Sequence, residues 1–182
     1  VVGFYPANSI NDDDIEVYTD DTRAEVLFTY RNLRQQNSKR EGIDNKCLAD
    51  FIAPKTTGIA DYIGMFAVTA GLGIAKKEQQ FADAQDDYSS IMLKALADRF
   101  AEAFAEGLHE RVRKDLWGYA SQETLTTEQL IKEQYHGIRP APGYPACPEH
   151  TIKQTMFDVL QPQEIGMTLT ESMAMSPAAS VC

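Results

Sequence analysis

Asp86-Asp87-Tyr88-Ser89-Ser90-Ile91-Met92-Leu93-Lys94-Ala95-Leu96-Ala97-Asp98-Arg99-Phe100-Ala101-Glu102-Ala103-Phe104-Ala105-Glu106-Gly107-Leu108-His109-Glu110-Arg111-Val112 reads as one long amphipathic helix. Tyr88, Ile91, Met92, Ala95, Leu96, Phe100, Ala103, Phe104, Leu108 and Val112 follow one another in three- and four-residue steps, the spacing of a helical face. Asp86 or Asp87 supplies the N-cap. At about 100° per residue, Arg99, Glu102 and Glu106 fall on the same face as Tyr88, Ile91, Met92, Ala95 and Leu96. Charges on a core stripe are expensive unless paired or facing a cavity. Two readings stand: the stripe drifts and leaves these charges at its edge, or a carboxylate lines the pocket of a cationic ligand.

Outward from this helix, the N-terminal part reads as strands and turns. Ile15 to Tyr18 alternates after the turn Asn11-Asp12-Asp13-Asp14, and in Ala24 to Leu33 strand competes with helix. Phe51-Ile52-Ala53 and Tyr62 to Val68 are short apolar runs that read as buried strands, and Gln36 to Asn45 reads as a loop. A first helix is expected over Gln79 to Ala84. Thr126-Thr127-Glu128-Gln129 opens a short helix through Glu133, and Thr151 with Gln154 forms a capping box for a helix to about Leu160. Alternation from Met167 to Met175 suggests a last strand. Strands, then helices, with no repeat or linker, give one α+β domain over residues 1–182, a mainly antiparallel sheet flanked by long helices. The start at Val1-Val2-Gly3 reads like the inside of a strand, so the expectation is a domain truncated at both ends.

The segment Arg139-Pro140-Ala141-Pro142-Gly143-Tyr144-Pro145-Ala146-Cys147-Pro148-Glu149-His150 carries four prolines within nine residues. Proline fixes φ and removes a donor, and the residue before it is pushed to extended backbone. The segment reads as a stiff extended track with Arg139 at one end and His150 at the other, either a connector or a platform for a small polar ligand. His150 reads as a helix-entry residue beside Thr151, while His109 and His136 show no obvious partners.

The 182 residues carry a formal charge of −10, which argues against nucleic-acid binding. No apolar run is long enough to span a bilayer, and no signal peptide is visible. The three cysteines, Cys47, Cys147 and Cys182, are widely spaced and form no metal cluster; reduced thiols are expected, with Cys47 a buried packing residue. Arg111, Arg113 and Lys114, with Arg99 upstream, are either a solvated helix face or a docking patch for an acidic electron-donor protein. Gly71-Leu72-Gly73 falls short of a dinucleotide fingerprint, and no nucleophile-elbow, zinc-protease or P-loop motif occurs.

The proline segment closely resembles the S-adenosylmethionine-binding loop of the activation domain of cobalamin-dependent methionine synthase. The same family's motifs follow in order: Gly3-Phe4-Tyr5-Pro6-Ala7-Asn8, Leu33-Arg34-Gln35-Gln36, Cys47-Leu48-Ala49-Asp50-Phe51-Ile52-Ala53-Pro54, and Asp61 to Thr69. Lys94-Ala95-Leu96-Ala97-Asp98-Arg99, Leu108 to Arg113, Trp117-Gly118-Tyr119-Ala120 and Gly166 to Ser172 continue it. The resemblance covers essentially the whole chain.

It implies reductive reactivation. The domain binds S-adenosylmethionine, caps the cobalamin held by a neighbouring domain, and receives an electron from a flavodoxin-like protein or flavoprotein reductase in the cytoplasm. By resemblance, Arg139 meets the ligand's carboxylate, which suits a bidentate guanidinium. Glu102 and Glu133 lie near the ligand. Gly143, Tyr144 and Ala146 belong to the loop that faces it, and Asp98 is a further candidate. Tyr144 either stacks on a flat group, borders the corrin, or is a turn aromatic. No residue is required as general acid, base or nucleophile, and no metal ligands are expected. The family's acidic partner for the ligand's amino group lies upstream of Val1 and its aromatic pair beyond Cys182, while Ser176 stands where a tryptophan is common. The alternatives are a non-catalytic S-adenosylmethionine-binding or adaptor module, and a conventional methyltransferase, whose glycine loop is missing.

Overall fold

A computed structural model describes residues 1–182. In chain order the elements are β1 (Val2–Ile10), β2 (Asp14–Tyr18), β3 (Val26–Tyr30), β4 (Asp61–Phe66), β5 (Val68–Thr69), α1 (Ile74–Asp83), α2 (Asp87–Arg111), α3 (Thr127–Ile131), α4 (Ile152–Leu160), β6 (Thr168–Leu169), β7 (Met175–Ser176) and β8 (Ser180–Val181). The chain forms two compact units, one of Val2–Met65 and Thr124–Met156, the other of Val1, Phe66–Glu123 and Phe157–Cys182.

The first unit is built on a four-stranded sheet in the order β3-β2-β1-β4. β1 and β2 pair antiparallel, with Ile10 opposite Asp14, around a turn in which Asn11 takes φ +46°. Asparagine tolerates this left-handed conformation because its side chain bonds its own turn. Here Asn11 Oδ1 accepts from the amides of Asp13 and Asp14, each at 3.0 Å. Ala24 to Leu33 resolves as strand: β3 runs antiparallel to β2, with Ile15 opposite Tyr30 and a register shift at Val17/Tyr18.

Two sequence motifs of this unit turn out to be fasteners. Asn8 is buried, and its Nδ2 donates to the carbonyls of Ala53 (2.9 Å) and Ile59 (2.8 Å). Arg34 makes a two-pronged contact with Asp50, Nη1 at 2.7 Å and Nη2 at 2.8 Å, and its Nε meets Asp13 at 2.9 Å. The hydrogen bonds from Arg34 hold the Asp50 carboxylate below its usual range. Asp50 also accepts from the Cys47 amide at 2.8 Å. That local capping closes Leu48–Phe51 into a 3₁₀ turn, so Phe51-Ile52-Ala53 is not the buried strand its apolar character predicts.

In the second unit, β5 pairs antiparallel with β8, Val68 opposite Val181. The first helix starts at Ile74, five residues before Gln79, directly after Gly73 at φ +81°. Asp86 caps α2, accepting from the Ser89 amide at 3.0 Å. The expected strand over Met167 to Met175 is instead the hairpin β6–β7, with Thr168 opposite Ser176, because Thr170 closes a turn by accepting from the Ala174 amide.

The core face of α2 is not the one its large residues predict. Ala97, Ala101 and Ala105 are buried with Val68, Ala179 and Val181, followed by His109. Tyr88, Met92, Leu96, Phe100 and Phe104, one row over, are 42–75% exposed, and Ile91, Ala95 and Ala103 are exposed as well. Methyl side chains let the helix backbone come close to the strands, whereas a row of aromatics would hold it away. Arg99, Glu102 and Glu106 are therefore exposed, and the cost expected for charges on a core face does not arise.

The helix ends in a π-turn, Val112–Leu116, with the Trp117 amide bonded to the Val112 carbonyl at 2.9 Å. Here Arg113 is completely buried. Its Nε and Nη2 donate to Glu123 Oε1 at 2.9 and 2.7 Å, and its Nη1 lies 2.9 Å from His109 Nδ1. Arginine has no acceptor, so His109 Nδ1 accepts and the imidazole is neutral. His109, for which the sequence showed no obvious partner, thus finds one a helical turn on, four residues away. Gly71 is packed against Pro177, with 2.3 Å from an added Cβ to the proline Cβ, which makes Gly71-Leu72-Gly73 a packing element and not a phosphate loop.

Candidate functional site

The proline segment of the first unit folds into two successive tight turns, not an extended track. The Tyr144 amide donates to the Ala141 carbonyl at 3.0 Å, and the Cys147 amide to the Tyr144 carbonyl at 2.9 Å. The Gly143 amide closes the pair onto the Cys147 carbonyl at 2.8 Å. The bend is possible because Gly143 takes φ +102°, a conformation open to glycine and strained for other residues. The prolines fix φ at the positions around it. One pivot among fixed positions gives a compact, preset loop.

Two contacts seat the loop on its unit. The Leu48 amide donates to the Ala146 carbonyl at 2.9 Å, so Cys47–Pro54 and the proline segment, distant in sequence, meet directly. Below them the Cys147 thiol is buried 3.5 Å from the Tyr30 hydroxyl, and Tyr30 also reaches Met156 Sδ at 3.9 Å. Burial pushes the Cys147 thiol upward, and Cys47 likewise, so both stay protonated and serve as packing groups.

The remaining side chains are presented from this base. Tyr144 projects at the apex, 61% exposed. Arg139 and Ala146 are half-buried. Glu133 is exposed and lies outside the short helix: α3 ends at Ile131, and Glu133 sits two residues on at φ +53°. Gly143, Tyr144 and Ala146 are brought together by the turns themselves. Asp98 and Glu102 belong to the other unit, where they stand one turn apart on α2, both exposed. The loop offers what a zwitterionic ligand needs: a guanidinium for its carboxylate, turn amides and carbonyls at set positions, and a phenol for a flat or apolar surface.

The sequence put His150 at the end of this loop but did not place it against Gly143. His150 lies where the chain enters α4, its carbonyl accepting from the Lys153 amide at 3.1 Å. Its ring reaches back over Gly143, so close that an added Cβ there would lie 2.3 Å from Cε1. Glycine seven residues before histidine carries no periodic signal.

Arg111, Arg113 and Lys114 do not share one solvated face. Arg113 is buried in its ion pair with Glu123, and Lys114 lies 3.4 Å from Glu110. Arg111 is exposed, 3.9 Å from Asp115. No helix is long and apolar enough to cross a membrane.

Comparison with known proteins places the chain in a family. The family model described as vitamin B12 dependent methionine synthase, activation domain, matches residues 1–182. A crystal structure of the MetH reactivation domain bound to AdoHcy superposes with a TM-score of 0.92 at 59% sequence identity, over 99% of this chain and 55% of that one. The chain thus spans about half the length of that solved domain. With the family model matching the whole chain and the fold superposing at 59% identity, the chain belongs to the activation-domain family of vitamin B12-dependent methionine synthase.

Proposed function

We propose that this chain binds S-adenosylmethionine at the Arg139–His150 loop and serves in the reductive reactivation of cobalamin-dependent methionine synthase. The observation that carries the reading is 59% identity, over 99% of this chain, to a domain solved with AdoHcy, the demethylated form of the ligand. In this reading Arg139 binds the ligand's carboxylate through two parallel hydrogen bonds. The Gly143–Tyr144 turn and the Ala146 backbone hold the adenosine side. Glu133 is the acidic group of the same unit that suits a sulfonium or an α-ammonium.

Cobalamin, carried by another domain of the polypeptide, supplies the cobalt centre that accepts the methyl group. The loop's part is to hold the donor in one pose and to present Tyr144 as an exposed, rigid surface. That division is general: the cofactor performs the chemistry, and the protein supplies position and electrostatics. The electron comes from a flavoprotein, and the site of action is the cytoplasm. With Arg113 withdrawn into the interior, docking of that donor rests on other exposed groups.

Calorimetry with S-adenosylhomocysteine tests the reading. Replacing Arg139→Ala removes a charge-assisted contact and weakens binding by about 1.5–3 kcal/mol, with folding nearly intact. Unchanged affinity would show that the ligand binds elsewhere. The competing adaptor reading is separated by cobalt methylation in the intact enzyme: an adaptor binds the ligand and leaves the cobalt unmethylated.

A further inference from the structure

We infer that His150 is a positioning residue for the ligand loop: its ring is the wall that confines Gly143 and so sets the direction of Tyr144. This deepens the reading above and rests on it. The sequence alone makes His150 the residue before a helix, and the resemblance gives it no part in ligand binding. The structure places its ring on the pivot of the loop.

An added Cβ on Gly143 would lie 2.3 Å from His150 Cε1, 2.6 Å from Nε2 and 3.2 Å from Nδ1, so one edge of the imidazole stands directly over the glycine. The backbone that carries the ring is fixed by two local hydrogen bonds. The His150 carbonyl accepts from the Lys153 amide at 3.1 Å, and the adjacent Glu149 carboxylate accepts from the Thr151 amide at 2.9 Å. That second bond holds Glu149 below the usual carboxylate range. The start of α4 is thereby closed, and the ring projects from it onto the loop.

Such a wall is needed because glycine is the one residue of this loop whose φ is free in both directions. Prolines 140, 142, 145 and 148 fix their own angles. Gly143 alone could swing the following peptide, and with it Tyr144, into another turn. The Gly143–Cys147 hydrogen bond opposes this from one side, and the His150 ring opposes it from the other. A loop held in one pose spends less binding energy on ordering when the ligand arrives. His150 is itself exposed, so removing its ring opens no core cavity.

The test uses the full-length protein. S-adenosylhomocysteine affinity is measured by calorimetry, with Tm alongside, for the wild type, Arg139→Ala, His150→Ala and His150→Phe. His150→Ala weakens binding about tenfold while Tm moves by no more than about 2 °C, because pre-organisation is lost and the core is not. His150→Phe, which restores a flat ring without the imidazole nitrogens, brings affinity back to within about twofold of the wild type. If the wild type binds and Arg139→Ala weakens it, yet His150→Ala binds as the wild type does, the positioning role is overturned and the ligand reading stands. If Arg139→Ala changes nothing, the ligand reading falls and this inference with it. Failure of the phenylalanine variant to rescue also overturns the steric role. One measurement needs no variant: the Gly143 Hα resonances carry the ring-current shift of an imidazole in van der Waals contact, and ordinary glycine shifts there would overturn the contact itself.

Discussion

Two rows of side chains run side by side along α2 and into the π-turn that ends it, and they invert the usual expectation. Ala97, Ala101, Ala105, His109 and Arg113, four residues apart, are all buried. Tyr88, Met92, Leu96, Phe100 and Phe104, also four apart, are exposed, Phe100 to 65%. An arginine is inside and a phenylalanine outside, on neighbouring rows. Hydrophobicity alone therefore does not choose the packed face of a helix. Size decides over the first part of the row, where only methyl groups admit close approach to β5 and β8. At its end, partner geometry decides: Glu123 and His109 together satisfy both terminal nitrogens and the Nε of the guanidinium.

The largest expected effect breaks the end of the buried row. Glu123→Ala leaves the Arg113 charge uncompensated in the interior and costs about 3–5 kcal/mol in chemical denaturation. Replacing both partners with apolar residues, Arg113→Met with Glu123→Leu, costs distinctly less than the single change. If the single and double variants lose the same amount, the ion pair is not what holds Arg113 inside.

Next comes the alanine part. Ala105→Leu forces four heavy atoms' worth of side chain where one fits, and overpacking of this kind costs about 1–3 kcal/mol. On the exposed row, Phe100→Ser in this 182-residue chain stays within about 0.5 kcal/mol. The same exchange in the intact protein sharpens the comparison. A loss there well above the value for the chain alone would mean that the row is covered in the longer polypeptide, and equal values that it faces solvent in both.

The smallest effect concerns a charge that stays near the surface. Asp50 is held below its ordinary range by Arg34, so its folded pKa lies under its unfolded one. Its contribution is present above the unfolded value and is lost as pH falls through the folded value. In acid titrations followed by circular dichroism, Asp50→Asn should flatten the acid limb and change little at neutral pH beyond a small uniform loss. An acid limb identical to that of the wild type would show that the Arg34–Asp50 contact carries no linkage. Screening keeps this contribution well below that of Arg113.

Much of the fold was legible because its signals are local. The Asp86 cap, the turn at Asn11 to Asp14, the start of the short helix at Thr126 and the length of α2 depend on residues within a few positions of one another. Where local capping competed with apolar character, as at Leu48–Phe51, reading a strand from Phe51-Ile52-Ala53 failed. At the site, the residue types of Arg139, Gly143 and Tyr144 were evident from the loop's composition and its resemblance. The double turn was not, because prolines announce fixed φ values without saying which way the glycine between them bends.

By itself the sequence determined the α+β class, the run of most elements and the chemical inventory of the loop, since periodicity, caps and proline act through neighbours along the chain. Tertiary structure decided which row of α2 is inside, that Arg113 is buried, that Leu48 supports Ala146, and that His150 stands on Gly143. Those outcomes depend on volumes and partners that meet across long or aperiodic separations, where steric fit and desolvation act and no local pattern records them.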